Sequence, residues 1–198
     1  MTAAETLPFT AQDFLDWESL QPTKHEYVQG ETFAMAGASD AHVTISLNLA
    51  TALKQHLRGT PCRSYIADMK VRAQAVDAYF YPDVFVTYSP ADAGRDSAKE
   101  EPTLVVEVLS PSTAAYDRGL KFEYYRSLPS LQEYVLVDAE RQSVEVFRRN
   151  PAGQWVLFPH GPGTTVELAS VDLRLPMAAV YEDVALQAPV KLPGNWPI

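Results

Sequence analysis

Cysteine is almost absent from this chain: Cys62 is the only one in 198 residues. A single thiol excludes an internal disulfide and any zinc site built from several cysteines. Long apolar runs are missing too. The longest are strand-sized, which leaves no candidate transmembrane helix. The opening residues, Met1-Thr2-Ala3-Ala4-Glu5, carry neither the basic residues nor the apolar core of a signal peptide, so a cytoplasmic protein is expected. Basic residues are in deficit, 16 against 25 acidic, for a net charge of −9. That balance counts against a dedicated nucleic-acid-binding surface, because phosphate contacts need cations, but not against an enzyme that gathers its cations in one groove. There is no phosphate-cradling Gly-Lys-Ser loop and no Gly-x-Ser-x-Gly elbow. His25, His56 and His160 show no metal-ligand spacing.

Within what remains, Glu107 stands out. It interrupts Leu104-Val105-Val106-Glu107-Val108-Leu109, a run bounded by Pro102 and Ser110-Pro111 that reads as a buried strand. A carboxylate there loses its water, at a cost of roughly several kcal/mol unless something compensates. The compensations available are a metal ion, a cationic partner or a proton held at raised pKa. Upstream, Tyr81-Pro82-Asp83-Val84-Phe85-Val86 opens another apolar strand with an aspartate at its mouth. Taken alone, Asp83 after Pro82 reads as a turn residue at a strand start. Two acidic residues on neighbouring core strands instead suggest a metal site. Magnesium prefers hard oxygen ligands and takes one or two protein carboxylates, with waters and substrate phosphate completing its shell.

The pattern predicts a single domain over residues 1–188 and a Pro-rich tail over 189–198. A capped helix is expected at about 10–19, where Thr10 precedes Asp13, Phe14, Leu15 and Trp17. Residues 26–28 and 32–35 flank Gln29-Gly30 as a hairpin. A long amphipathic helix follows over 41–57 and ends near Gly59-Thr60-Pro61. Residues 63–75 and 79–88 read as two strands, 89–101 as a polar loop, and 114–127 as a helix stopped by Pro129. Strands at 134–137 and 144–147 come next. A C-terminal β-hairpin is expected from 155–158 and 165–168 around Gly161-Pro162-Gly163. The resulting order of helix, three strands, helix, strand predicts an α/β (α+β) fold with a mixed β-sheet core flanked by helices.

Pro82-Asp83, a spacer and Glu107, set in that element order, resemble the PD-(D/E)XK nuclease superfamily. The longer strings resemble one branch of it closely. They are Tyr-Pro-Asp-Val-Phe-Val, Leu-Val-Val-Glu-Val-Leu-Ser-Pro-Ser-Thr, Asp117-Arg118-Gly119-Leu120-Lys121 and Tyr124-Tyr125-Arg126. That branch is the Uma-two-type "putative restriction endonuclease" family, and the resemblance runs over most of residues 8 to 182. It implies a restriction-endonuclease-like domain, a Mg²⁺ (or Mn²⁺) cofactor held by Asp83 and Glu107, hydrolysis of DNA phosphodiester bonds, and a homodimer.

One departure matters. The superfamily places a lysine two residues after the glutamate, and Leu109 stands there. The family pattern implies Lys121, on the following helix, as its substitute; Lys70, on the strand before Asp83, is a second candidate. Asp117 lies four residues before Lys121, on the same helix face, as a cap or lysine partner. The further acidic residue that the superfamily uses near its first helix falls on Glu26 or Glu31, and a histidine common in this branch on His42. Arg118, Arg126, Lys70 and Arg72 are candidate phosphate contacts. The missing strand lysine and the acidic balance fit a different expectation as well, a catalytically degraded nuclease fold that persists as a binding or assembly module.

Overall fold

The computed structural model describes residues 9–186. Helix α1 (Ala11–Glu18) starts in a reciprocal cap: the Asp13 N–H donates to the Thr10 hydroxyl, and the Thr10 N–H donates to the Asp13 carboxylate. Strands β1 (His25–Val28) and β2 (Glu31–Ala34) form the expected hairpin. Its two-residue turn needs positive φ at both central positions, and Gln29 and Gly30 adopt 50° and 92°. Helix α2 (Asp40–His56) is capped by Ser39 and buries Ile45, Leu49 and Leu53, four residues apart on one face.

The two long strands expected next are each broken in two. Residues 63–75 give β3 (Arg63–Ile66) and β4 (Lys70–Ala73), with a break at Ala67, where φ is 43°. Residues 79–88 give β5 (Ala78–Phe80) and β6 (Val84–Thr87), with Pro82 in the gap. Proline has no N–H for a central ladder, so the strand cannot run through it. The halves join different sheets. The segment expected as a loop contains helix α3 (Pro90–Ala93) and β7 (Ala98–Lys99). Strand β8 (Pro102–Leu109) follows. The expected 114–127 helix is α4 (Ala114–Tyr116), a π-turn (Asp117–Lys121) and α5 (Phe122–Tyr125). The chain then forms β9 (Glu133–Asp138), β10 (Val144–Arg149), β11 (Trp155–His160), β12 (Thr165–Leu168), β13 (Leu173–Pro176) and α6 (Met177–Val180).

A six-stranded sheet has the order β11-β10-β9-β8-β6-β3 and is mixed, since β8 and β9 run parallel while its other pairs are antiparallel. A five-stranded sheet has the order β2-β1-β5-β4-β7. The C-terminal hairpin is β12 with β13, not 155–158 with 165–168. Strand β11 turns back on β10 instead, through a tight turn that reaches Gly153 at φ 79°. Among the described residues no helix is long and apolar enough to cross a membrane. The expected tail, 189–198, lies outside the described residues.

Alternation along β8 divides the core. Leu104, Val106 and Val108 pack with Ile45, Leu49 and Leu53 of α2. Val105 and Leu109 face the other way, toward Phe80, Tyr125 and Tyr134. Glu107 has the parity of this second set, so its carboxylate points between the two sheets.

A second buried carboxylate fastens the C-terminal hairpin. Glu133, fully buried in β9, accepts hydrogen bonds from Arg148 Nε at 2.7 Å and from the N–H groups of Ala169 and Ser170 at 3.1 and 2.8 Å. Glu133→Ala strands those donors, and urea unfolding is expected to show a loss of about 2–4 kcal/mol. Tyr181 makes a second tie. Its hydroxyl lies 2.7 Å from the Asp138 carbonyl and 2.8 Å from that of Arg141. Burial pushes its pKa up from 10.0 to about 12. The folded state therefore keeps a proton that the unfolded chain gives up, and this contribution to stability fades as pH climbs from 10 to 12. Thermal unfolding across that window should show a shallower decline for Tyr181→Phe than for the unmutated protein.

Candidate active site

Asp83 enters the site because Pro82 ends β5's extension and β6 begins just beyond. Val84 pairs with Val106, so the next register position sets Asp83 opposite Glu107. Both Asp83 oxygens are engaged. Oδ2 accepts the Val108 N–H at 2.7 Å, and Oδ1 lies 2.7 Å from His42 Nε2, at the start of α2. The other ring nitrogen, His42 Nδ1, is buried without a partner.

Lys121 sits on the far side of Glu107, brought inward by the π-turn, a feature that recurs at functional sites. Its Nζ lies 2.8 Å from Glu26 Oε1, 3.0 Å from Glu107 Oε1 and 3.7 Å from Asp117 Oδ1. These three carboxylates come from β1, β8 and the π-turn. Tyr125 donates its hydroxyl to the same Glu107 Oε1 at 3.1 Å, and so leaves Oε2 for other partners. Lys121, Glu26, Glu107 and Asp117 are all buried.

Three carboxylates thus face one lysine, with Asp83 lining the same cavity. Burial pushes the Glu107 carboxyl well above its ordinary range; Lys121 opposes this, while Asp117, Asp83 and Glu26 push it further. Asp117 is raised for the same first reason, against the pull of Lys121 and a hydrogen bond from Thr113. Burial alone would pull Lys121 down, but Glu107, Glu26 and Asp117 outweigh it and hold the ammonium well above its usual value. The surplus is negative, and a cation would relieve it.

The residues fit a divalent cation in that role. Asp83 and Glu107 offer hard oxygen donors side by side, and the orphaned His42 nitrogen marks polar capacity that the protein itself does not use. Among the described residues no three His, Cys, Asp or Glu side chains form a ready metal cage. Two carboxylates with water and phosphate completing the shell is the arrangement that suits Mg²⁺.

The cluster forms part of the wall of a cavity of about 1200 Å³. Glu26, Asp83, Glu107, Asp117, Lys121 and His42 all line it. Glu31 lines it too, from exposed β2. The structure does not bring Lys70 or Arg118 to the cluster. Lys70 lies over the Tyr81 ring, 5.2 Å from its centroid, and Arg118 pairs with Glu145. The other proposed phosphate contacts are engaged elsewhere: Arg72 lies 3.5 Å from Glu100, and Arg126 lies 5.1 Å from the centroid of the Phe122 ring. Sequence reasoning missed the Tyr125 hydroxyl; the signal available was its spacing of four from Lys121. Lys24, a cavity residue, was missed entirely.

Comparisons with known proteins give the family and the fold. An uncharacterized protein of Synechocystis sp. is 38% identical over 174 residues, spanning 88% of this chain and 92% of its own length. A second from the same organism is 35% identical over 159 residues, spanning 79% and 90%. The fold is similar to a crystal structure from Anabaena variabilis described as a putative nuclease of the DUF820 group. The TM-score is 0.69 and the identity 19%, over 88% of this chain and 98% of that one. The sequence pattern of Uma2, described as "putative restriction endonuclease", matches residues 11–178. The chain belongs to the Uma2 family of putative restriction endonucleases.

Proposed function

We propose that this protein is a metal-dependent endonuclease that hydrolyses DNA phosphodiester bonds. The observation that carries the reading is the Lys121 ammonium, buried 3.0 Å from Glu107, in the wall of the large cavity that Asp83 also lines. Asp83 and Glu107 would hold Mg²⁺ or Mn²⁺. When bound, the ion supplies Lewis-acid polarisation of the scissile phosphate and of the attacking water. Lys121, itself buried, directs an N–H group at the charge that develops on phosphate oxygens. Glu26 and Asp117 hold that ammonium in place and keep it protonated. His42 orients Asp83, while Tyr125 does the same for Glu107.

A second reading has its own observation. Lys121 and Tyr125 both occupy Glu107 Oε1, and both Asp83 oxygens already accept hydrogen bonds. A site closed on itself in this way suits a binding or assembly module that has lost catalysis.

Two measurements separate the readings. Crystals soaked in millimolar Mn²⁺ are expected to show anomalous density between Asp83 and Glu107, and Asp83→Asn to lose it. No density at that place in the unmutated protein would favour the module. Glu107→Gln is expected to cut DNA cleavage by about a hundredfold or more while the thermal midpoint stays level or rises, because the variant removes a buried charge. A fully active Gln variant would sink the catalytic assignment. Lys121→Met leaves three buried carboxylates without their cation, and chemical unfolding should register a loss of about 3–5 kcal/mol.

A further inference from the structure

We infer that the strand this site takes is single-stranded, held by stacking of its unpaired bases on the cavity rim. This rests on the nuclease reading of the same cavity. Duplex DNA carries one negative charge per roughly 1.7 Å of axis, and proteins that hold it do so with lysine and arginine along its track. This cavity offers nothing of that kind. Among the described residues lining it, the basic side chains other than His42 are Lys24 and Lys121, against five acidic ones. Lys121 is buried among carboxylates, and Lys24 is ion-paired with Asp68. Arg72, Arg118 and Arg126, which might have extended a track, are committed to Glu100, Glu145 and the Phe122 ring.

The rim is aromatic and apolar instead. Phe33, on a strand exposed along its whole length, is itself 49% exposed, and Met35 follows it. From a segment distant in sequence come Leu120, 47% exposed, and the half-buried Tyr116 and Tyr124. Tyr124 stacks on Phe80, with ring centroids 5.9 Å apart, which fixes its plane. An exposed phenylalanine costs solubility unless something covers it, and its neighbours here are the residues of a cavity floored by acid. Bases have π-faces that stack on such rings whatever their sequence, but in a duplex those faces are already covered by one another. The volume, about 1200 Å³, exceeds the roughly 300–1,000 Å³ of ordinary small-molecule pockets and leaves room for more than one splayed nucleotide. With little phosphate neutralisation by side chains, affinity comes from stacking, and from the divalent ion at the one phosphate that reaches the floor.

The test uses the full, unmutated chain with Ca²⁺ in place of Mg²⁺, which keeps both carboxylates and lets binding be read apart from cleavage. The probes are a fluorescent single-stranded DNA, the same strand annealed to its complement, and a matched single-stranded RNA, each checked on a gel for intactness after the measurement. The expected result is tighter binding of a single strand than of the duplex, with the DNA and RNA arms showing which sugar is taken. Phe33→Ala should weaken single-strand binding about tenfold, the loss of one stacked base, and Phe33→Trp should restore it. The log–log salt dependence should be shallow, with a slope of about 1 or less in magnitude. Equal or tighter binding of the duplex, no binding of any probe, or indifference to Phe33→Ala overturns the inference. Cleavage by the unmutated protein in Mn²⁺ reports separately on the catalytic reading. Duplex cleavage without single-strand preference rejects only the substrate class, whereas Phe33-dependent single-strand binding without cleavage rejects only the reaction.

Discussion

The ion cluster around Lys121 is the constraint on which the rest of the site depends. One ammonium bridges Glu26 of the five-stranded sheet, Glu107 of the six-stranded sheet and Asp117 of the π-turn. It is the polar contact at which both sheets and the turn meet. Buried ion pairs of this kind gain little stability over apolar side chains of the same volume, because desolvation takes back most of the Coulombic attraction. An apolar core at this place would hold the fold equally well. A cluster with three carboxylates for one lysine, and a fourth in Asp83 nearby, therefore calls for a reason other than folding. The surplus of carboxylates supplies one under the proposed function: it would suit the binding of a cation.

The break between β5 and β6 does the next part of the work. Had residues 79–88 run as one strand, Asp83 would have sat within a continuous ladder, its side chain fixed by the pleat. Pro82 ends that continuity, so Tyr81 turns its hydroxyl to Glu18 in the outer layer while Asp83 meets the Val108 N–H and His42. The matching break at Ala67 releases β4 from β3 and lets it pair with β5. Two interruptions in strand-forming sequence thus create two sheets, and the cavity lies where the chain passes between them.

Glu107 was legible in the sequence because it violates its surroundings: a carboxylate in an apolar run is a local anomaly that needs no tertiary information. Asp83 was legible through its place after Pro82, and through Glu107. Lys121 depended on resemblance, since a lysine on a short helix carries no local sign of burial. The residues that sequence could not assign are those whose role is set by distant partners. Tyr125 looks like any core aromatic until the π-turn brings its hydroxyl to Glu107. Residues 63–75 and 79–88 carry aromatic or β-branched residues on both sides of their breaks, so pattern alone reads each as one strand. The C-terminal hairpin failed for a related reason. Gly161-Pro162-Gly163 marks a turn, but pairing depends on which neighbour each strand finds, and the tight turn after Asn150 claims β11 first.

Charge raises a final point about how an acidic protein approaches a polyanion. At −9, the long-range field of the chain repels nucleic acid, and the surface arginines nearest the site are tied to glutamates or to a ring. Under the proposed function, attraction would act only at short range, at the cavity rim and at an ion held by Asp83 and Glu107. Added salt screens the repulsion between the two molecules over about 10 Å but leaves stacking and a partly buried ion almost untouched. A nuclease of the kind proposed, arranged in this way, would ignore the bulk of intact duplex, whose charge it cannot neutralise and whose bases it cannot reach. It would respond to the exposed base and to the single phosphate that fits beside its carboxylates. Selectivity then comes from what the surface withholds as much as from what the cavity offers.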